Sequence, residues 1–188
     1  MFIKIDLRIA KDKDYSKKFP ISLKDLENAV NTCYLGLGTP YQPIDVDNFV
    51  DLNGNQFPDI PENAKITLKL QPQENDYQYR LNDPVLVCCK VKNVGRAFND
   101  KDDIPKNYWE KIFDCNHKQI YSAPDGTLYI APNKDNACII STKKDIPDSF
   151  VSYSIIFSLI IKHKDGYKRR YYFILDPVVR ISSNPPVV

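Results

Sequence analysis

The sequence predicts a mainly β chain that folds as an antiparallel, jelly-roll-like β-sandwich with one short helix near residues 22–33. The 188 residues include 12 Tyr and 9 Phe against one Met and one Trp, a bias that favours half-buried pleated sheets. Several short segments alternate apolar and polar residues, which is the periodicity of a strand with one buried face. Fourteen Pro against six Gly indicate many fixed turns between those strands.

The first elements are a strand and a helix. Residues 2–9 alternate apolar and charged side chains, which predicts a strand, and the polar residues 11–18 indicate a loop. Ser22 then precedes Asp25 by three positions, a start similar to a capping box. A helix over residues 22–33 follows from the apolar side chains at helical spacing, which are Leu23, Leu26 and Val30.

The middle of the chain is a long loop followed by short strands. Residues 39–63 are rich in Pro, Asp and Asn and show no sustained periodicity, so we expect a long loop there. Residues 65–70 alternate, and residues 84–91 are nearly all apolar, as in a central strand. Ala123-Pro124-Asp125-Gly126 predicts a hairpin turn between two short strands. A further short strand is expected at Cys138-Ile139-Ile140.

The C-terminal third predicts a long hairpin. Alternating apolar side chains fill residues 150–162, Lys164-Asp165-Gly166 turns the chain, and residues 167–175 return it. A last strand is expected at 178–181, followed by a frayed tail at 183–188. No compositional linker divides the chain, so residues 1–188 are predicted to form one domain.

Charge and cysteine content narrow the partners and the compartment. The net charge is +2, with 26 basic and 24 acidic residues dispersed along the chain, so we expect no nucleic-acid partner. No apolar run approaches the roughly 18 residues of a membrane span, and the N-terminal segment is not typical of a signal peptide. Five scattered cysteines then favour reduced thiols and a cytoplasmic location.

The sequence offers little catalytic chemistry, and we expect a protein that is not an enzyme. Only two histidines occur, and one of them, His117, lies two residues after Cys115. A Cys–His nucleophile pair needs hydrogen-bond reach and an orienting third group, which this spacing does not ensure. A hydrolase that uses Cys115 and His117 is therefore the weakest of the alternatives.

One segment has the ligand spacing of a calcium loop. Residues 51–62 place oxygen-bearing side chains at positions 1, 3, 5, 9 and 12, the spacing of an EF-hand. Gln56 occupies the position where that motif has Gly, and Asp and Asn are also ordinary turn residues. We predict no other cofactor, and a calcium- or carbohydrate-dependent binding module built on residues 45–62 is an alternative function. The candidate ligands are Asp51, Asn53, Asn55, Asp59 and Glu62.

The outer face of the C-terminal hairpin carries little charge and is a candidate interface. Its small hydroxyl and aliphatic side chains form a patch that could contact a copy of itself, so we predict a homo-oligomer. The alternative is that a helix or residues 39–63 cover this face within the chain. Exposed tyrosines could also stack on a carbohydrate or another small ligand. The predicted interface residues are Ile156, Ile160 and Tyr172.

Both ends of the chain resemble the AidA/PixA family of bacterial inclusion-body proteins. The similar features are the opening strand at residues 3–9 with Phe19-Pro20 after it, Asp76-Tyr77 before an apolar strand, and the closing segment 172–177, Tyr-Phe-Ile-Leu-Asp-Pro. The middle departs from the family, because its Gly-Asp before the central strand is missing and Pro84 lies there. The resemblance implies an intracellular β-sandwich that self-associates and has no established catalytic residues.

Overall fold

The computed structural model describes residues 2–10, 15–34, 36–49, 60–72, 84–93, 105–147, 149–176 and 178–182. More than half of the described residues lie in strands, and these strands form two facing sheets, so the predicted mainly β sandwich is confirmed. No helix of the described ranges is long and apolar enough to cross a membrane. In chain order the elements are β1 (Phe2–Ala10), β2 (Tyr15–Ser22), α1 (Leu23–Thr32), β3 (Ile44–Asp45), β4 (Ile60–Pro61), β5 (Lys65–Pro72), β6 (Val85–Asn93), α2 (Pro105–Ile112), β7 (Ile120–Ser122), β8 (Leu128–Ile130), β9 (Ala137–Ser141), β10 (Ser149–Lys162), β11 (Lys168–Leu175) and β12 (Val178–Ser182).

The smaller sheet has four antiparallel strands in the order β2-β1-β5-β9. The loop expected at residues 11–18 was wrong for residues 15–18, because β2 begins at Tyr15 and forms the first hairpin with β1. The polar residues of β2 pair with the polar face of β1, with Asp6 opposite Lys18 and Arg8 opposite Ser16. A strand whose outer side chains are polar on a solvent-facing sheet has the composition of a loop, which explains the error.

The larger sheet is mixed and has eight strands within the described ranges. Its main order is β3-β11-β10-β6-β8-β7, while β12 pairs with the first residues of β10 and β4 lies beside β12. The two-residue strands β3 and β4 run parallel to their neighbours, and the other pairs are antiparallel. The loop predicted at 39–63 thus contributes β3, a 3-10 turn at Asp47–Phe49 and β4 to the described structure.

The core lies between the sheets, and alternate residues supply it as the period-two pattern predicts. On β10, Ile155, Phe157 and Leu159 are at most 2% exposed, and the Phe157 ring stacks on Phe173 of β11 at 5.3 Å. The small sheet contributes the alternate apolar residues of β1, β2, β5 and β9. Its buried side chains include Ile5, Leu7, Ile9, Phe19, Ile21, Ile66, Leu68, Leu70, Cys138 and Ile140.

The predicted helix is confirmed, and a second helix was missed. α1 begins after Ser22, whose Oγ accepts the Asp25 backbone N–H at 3.4 Å. The second helix, α2, packs through the fully buried Trp109, and the Trp109 indole N–H donates to the Gly126 carbonyl at 2.9 Å. A helix of eight residues shows barely two turns of periodicity, too few for the pattern to stand out, so the expectation of a single helix was wrong.

Candidate functional site

At one end of the sandwich, the C-terminal end of α1 meets the turn between β10 and β11. The backbone N–H of Lys164 in that turn donates to the Asn31 side chain on α1 at 2.9 Å. The turn itself is closed by a bond from the His163 N–H to the Tyr167 carbonyl, and Gly166 supplies the positive φ that it needs. The Asn31 side chain therefore ties the end of the helix to the backbone of the hairpin turn.

The segment after α1 packs over the same hairpin. Gly38 has a φ of +75°, and a Cβ added there would lie 2.7 Å from the Tyr171 ring. The Gly38 carbonyl accepts the Tyr172 backbone N–H at 3.0 Å. This close approach explains why a glycine occupies the position, since any side chain would push the segment off β11.

Between these elements lies a cavity of about 340 Å³, which we call the tyrosine groove. Two of its aromatic side chains are unusually exposed, Tyr34 at 68% and Tyr167 at 77%, whereas Tyr171 at its base is buried. The groove is lined by Val30, Cys33, Tyr34, His163, Asp165, Tyr167, Arg169 and Tyr171.

Polar groups occupy defined positions in the tyrosine groove. His163 Nδ1 lies 2.9 Å from Asp165 Oδ2, and the Asp165 side chain remains 62% exposed. The Arg169 guanidinium lies 4.2 Å from the centre of the Tyr171 ring and donates to the Leu37 carbonyl at 3.3 Å. A guanidinium carries five N–H donors, so this bond leaves donors for a ligand. The groove thus combines flat apolar surfaces with one carboxylate, one imidazole and one guanidinium.

The predicted interface lies on the outer face of the large sheet and is only partly exposed. Ile156 is 3% exposed and is therefore covered within the chain, while Ile160 and Tyr172 are half-buried. Asp176 accepts the hydroxyls of Ser152 and Ser154 at 2.7 and 2.9 Å. Only Ile160 and Tyr172 of the three predicted residues have surface to offer a partner.

Cys115 and His117 lie in different surroundings. Cys115 packs partly against the core, whereas His117 is exposed and lines a different cavity of about 390 Å³ that Cys115 does not line. Burial and the nearby Glu110 carboxylate raise the pKa of Cys115 to about 11. An activated cysteine needs a lowered pKa, so this environment is the opposite of what a thiolate nucleophile requires.

The predicted calcium ligands are described at one position only. Asp51, Asn53, Asn55 and Asp59 lie outside the described residues. Glu62 is described, and its Oε2 accepts the Asp145 backbone N–H at 2.7 Å, so this carboxylate joins two segments that are far apart in the sequence. Within the described ranges, no group of three or more His, Cys, Asp or Glu side chains is arranged to hold a metal ion.

The tyrosine groove was not predicted from the sequence, although several of its residues were placed near the hairpin turn. Tyr167 and Tyr171 were expected on strands, and His163 was placed beside a hairpin tip. Tyr34 and Arg169 were not recognised, because Tyr34 follows a helix 133 positions before Tyr167 and Arg169 belongs to a basic run typical of a solvated turn. The useful signal would have been an aromatic residue just beyond a helix end.

Comparison with known proteins adds no relative. The chain matches no protein-family model, no curated protein and no solved structure at a significant level.

Proposed function

We propose that this chain is a non-catalytic binding protein that holds a carbohydrate in the tyrosine groove. The observation that carries the proposal is the meeting of two exposed tyrosines, Tyr34 and Tyr167, with Asp165 and Arg169 around one cavity. Small-molecule sites are concave, mostly apolar and furnished with a few polar groups, and their volumes start at roughly 300 Å³. The tyrosine groove meets these criteria.

A sugar ring matches the chemistry of these walls. Its C–H faces are apolar and can stack on tyrosine rings, while its hydroxyl groups lie at the edges. A carboxylate such as Asp165 accepts from hydroxyl donors, and a guanidinium such as Arg169 donates to hydroxyl oxygens.

The test is affinity electrophoresis of the full chain through gels that contain soluble xylan, mannan, β-glucan or chitosan oligomers. We expect at least one of these polysaccharides to retard the wild-type chain. The double variant Tyr34→Ala/Tyr167→Ala should lose about tenfold or more in affinity, because stacking on an aromatic ring contributes on the order of 1 kcal/mol per ring. Its melting temperature should stay unchanged, since both side chains are exposed.

Tyr121→Ala is the matched control. Tyr121 is 61% exposed but lies on β7, at the far edge of the large sheet, so its loss should leave retardation unchanged. Equal losses in the control and the double variant would make the stacking non-specific and the proposal wrong, as would the absence of retardation in all four gels. Repeating the assay with calcium and with a chelator separates this groove from the calcium module predicted at residues 45–62, because groove binding should not change.

Self-association through the outer face is a second candidate function. A row of side chains crosses three strands there, from Val85, which is 41% exposed, through Ser158 to the half-buried Tyr172. Ile160 lies two residues further along the same face. This partly apolar surface and the resemblance to self-associating AidA/PixA proteins support a second copy of the chain as the partner. Replacing Ile160 by Lys tests this candidate.

A further inference from the structure

Two cysteines from opposite sheets meet in the core. Cys89 lies on β6 of the large sheet and is fully buried, and Cys138 lies on β9, the edge strand of the small sheet, and is 2% exposed. Cys89 is directly opposite Ile130 of β8, and the Cys138 thiol donates to the Ile130 carbonyl at 3.1 Å. The register and this bond bring both thiols to one place beside Ile130.

The two thiols lie close to each other and to a buried tyrosine. The Cys138 thiol and the Tyr153 hydroxyl both influence the pKa of Cys89, so the three groups are near enough to interact. Burial, and after it the neighbouring Cys138 thiol, raises the pKa of Cys89 well above its usual value, so Cys89 stays protonated at neutral pH. The folded core therefore protects this pair from oxidants, and reaction requires the more open chain that exists during folding.

We propose that Cys89 and Cys138 form a disulfide that joins the two sheets when the chain folds in the presence of a low-molecular-weight disulfide such as oxidised glutathione. One cysteine thiolate attacks the oxidant, which yields a mixed disulfide and releases one glutathione. The other cysteine thiolate attacks the protein sulfur of that mixed disulfide and releases the second glutathione. Both protein thiols give up their protons, and the two electrons reduce the oxidant to two thiols.

The neighbouring residue Cys88 provides a comparison within the chain. It precedes Cys89 by one position on β6, so its side chain points to the opposite face of the strand, opposite Ile156 of β10. Cys88 is half-buried there and is directed away from the inter-sheet core. The two adjacent cysteines should therefore differ completely in their ability to pair with Cys138.

The experiment is refolding of the full chain from urea, in a glutathione redox buffer and in parallel under reductant. Intact-mass and peptide mapping should find the loss of two hydrogens and a single cross-link between Cys89 and Cys138 in the oxidised sample. That bond closes a loop of about 50 residues, so the oxidised chain should melt roughly 5–10 °C above the reduced one. Cys88→Ser should form the bond as the wild type does, and Cys89→Ser should not.

The variant Cys33→Ser/Cys88→Ser/Cys115→Ser keeps the test valid if Cys89→Ser fails to fold, because it retains only the two proposed partners. Quantitative cross-linking in this variant is the expected result. A bond that maps to any other pair in the wild type, or five thiols that all remain open to alkylation after oxidative refolding, would show that the proposal is wrong.

Discussion

The two faces of β10 are both largely buried, but different interactions bury them. On the inner face, Phe157 and its alternate neighbours are at most 2% exposed and pack against the small sheet. On the outer face, Ser154 and Ser158 are 6% and 1% exposed, and their hydroxyls bond to Asp176 and to the Arg170 guanidinium. The inner face is buried by apolar packing, and the outer face by neighbouring side chains and hydrogen bonds.

This difference shows what a period-two pattern can and cannot predict about the burial of a side chain. Alternation fixes which residues share a face, but the burial of a small polar residue depends on what flanks it on adjacent strands. Ser158 lies between Tyr172 and Val85 in register, so larger neighbours can close over it. The pattern therefore predicts which residues lie on the outer face but not how exposed each of them is.

The largest expected effect is on the inner face. Phe157→Ala should lower the free energy of unfolding by about 3–5 kcal/mol, because it removes a fully buried ring stacked on Phe173 and leaves a cavity. Ile160→Ala, on the same strand but half-buried on the outer face, is the matched control and should cost about 1 kcal/mol. Urea unfolding monitored by circular dichroism measures both. Equal costs would contradict the distinction between the two faces.

The sequence predicted the inner face well because hydrophobic burial repeats every second residue. Helix α1 was predicted for the same kind of reason, with Ser22 as its cap and three buried residues at helical spacing. The outer face was predicted less well, since Ile156, which was expected to contact a partner, is only 3% exposed. The tyrosine groove could be predicted least, because the contact between Asn31 and Lys164 that forms it joins residues 133 positions apart.

An intermediate effect is expected where β10 changes partner from β11 to β12. Asp176 lies at this junction, and its carboxylate accepts two serine hydroxyls at 2.7 and 2.9 Å. Asp176→Ala should cost about 1–3 kcal/mol, since it leaves those hydroxyls without their charged acceptor, whereas Asp176→Asn retains an acceptor and should cost less. In a double-mutant cycle, Ser154→Ala should recover part of the loss. Additive costs would mean that the hydroxyl bonds do not hold the outer face.

The smallest effect on stability, and the most informative one for function, is expected at Ile160. Its side chain is half-buried on the outer face, so Ile160→Lys should leave the chain folded, with the Lys stem lying along the apolar surface and its ammonium in water. Ile156→Lys is the contrasting variant, because a charge placed at a 3% exposed position should unfold the chain.

If the outer face joins two copies, the wild type should elute as a dimer or larger species in size-exclusion chromatography with light scattering. Folded Ile160→Lys should then elute as a monomer, since two like charges would face each other across the symmetric contact. A wild type that is monomeric at high micromolar concentration would contradict self-association. A wild-type oligomer that Ile160→Lys leaves intact would place the contact on another surface, and the tyrosine groove would then be the main candidate site of recognition.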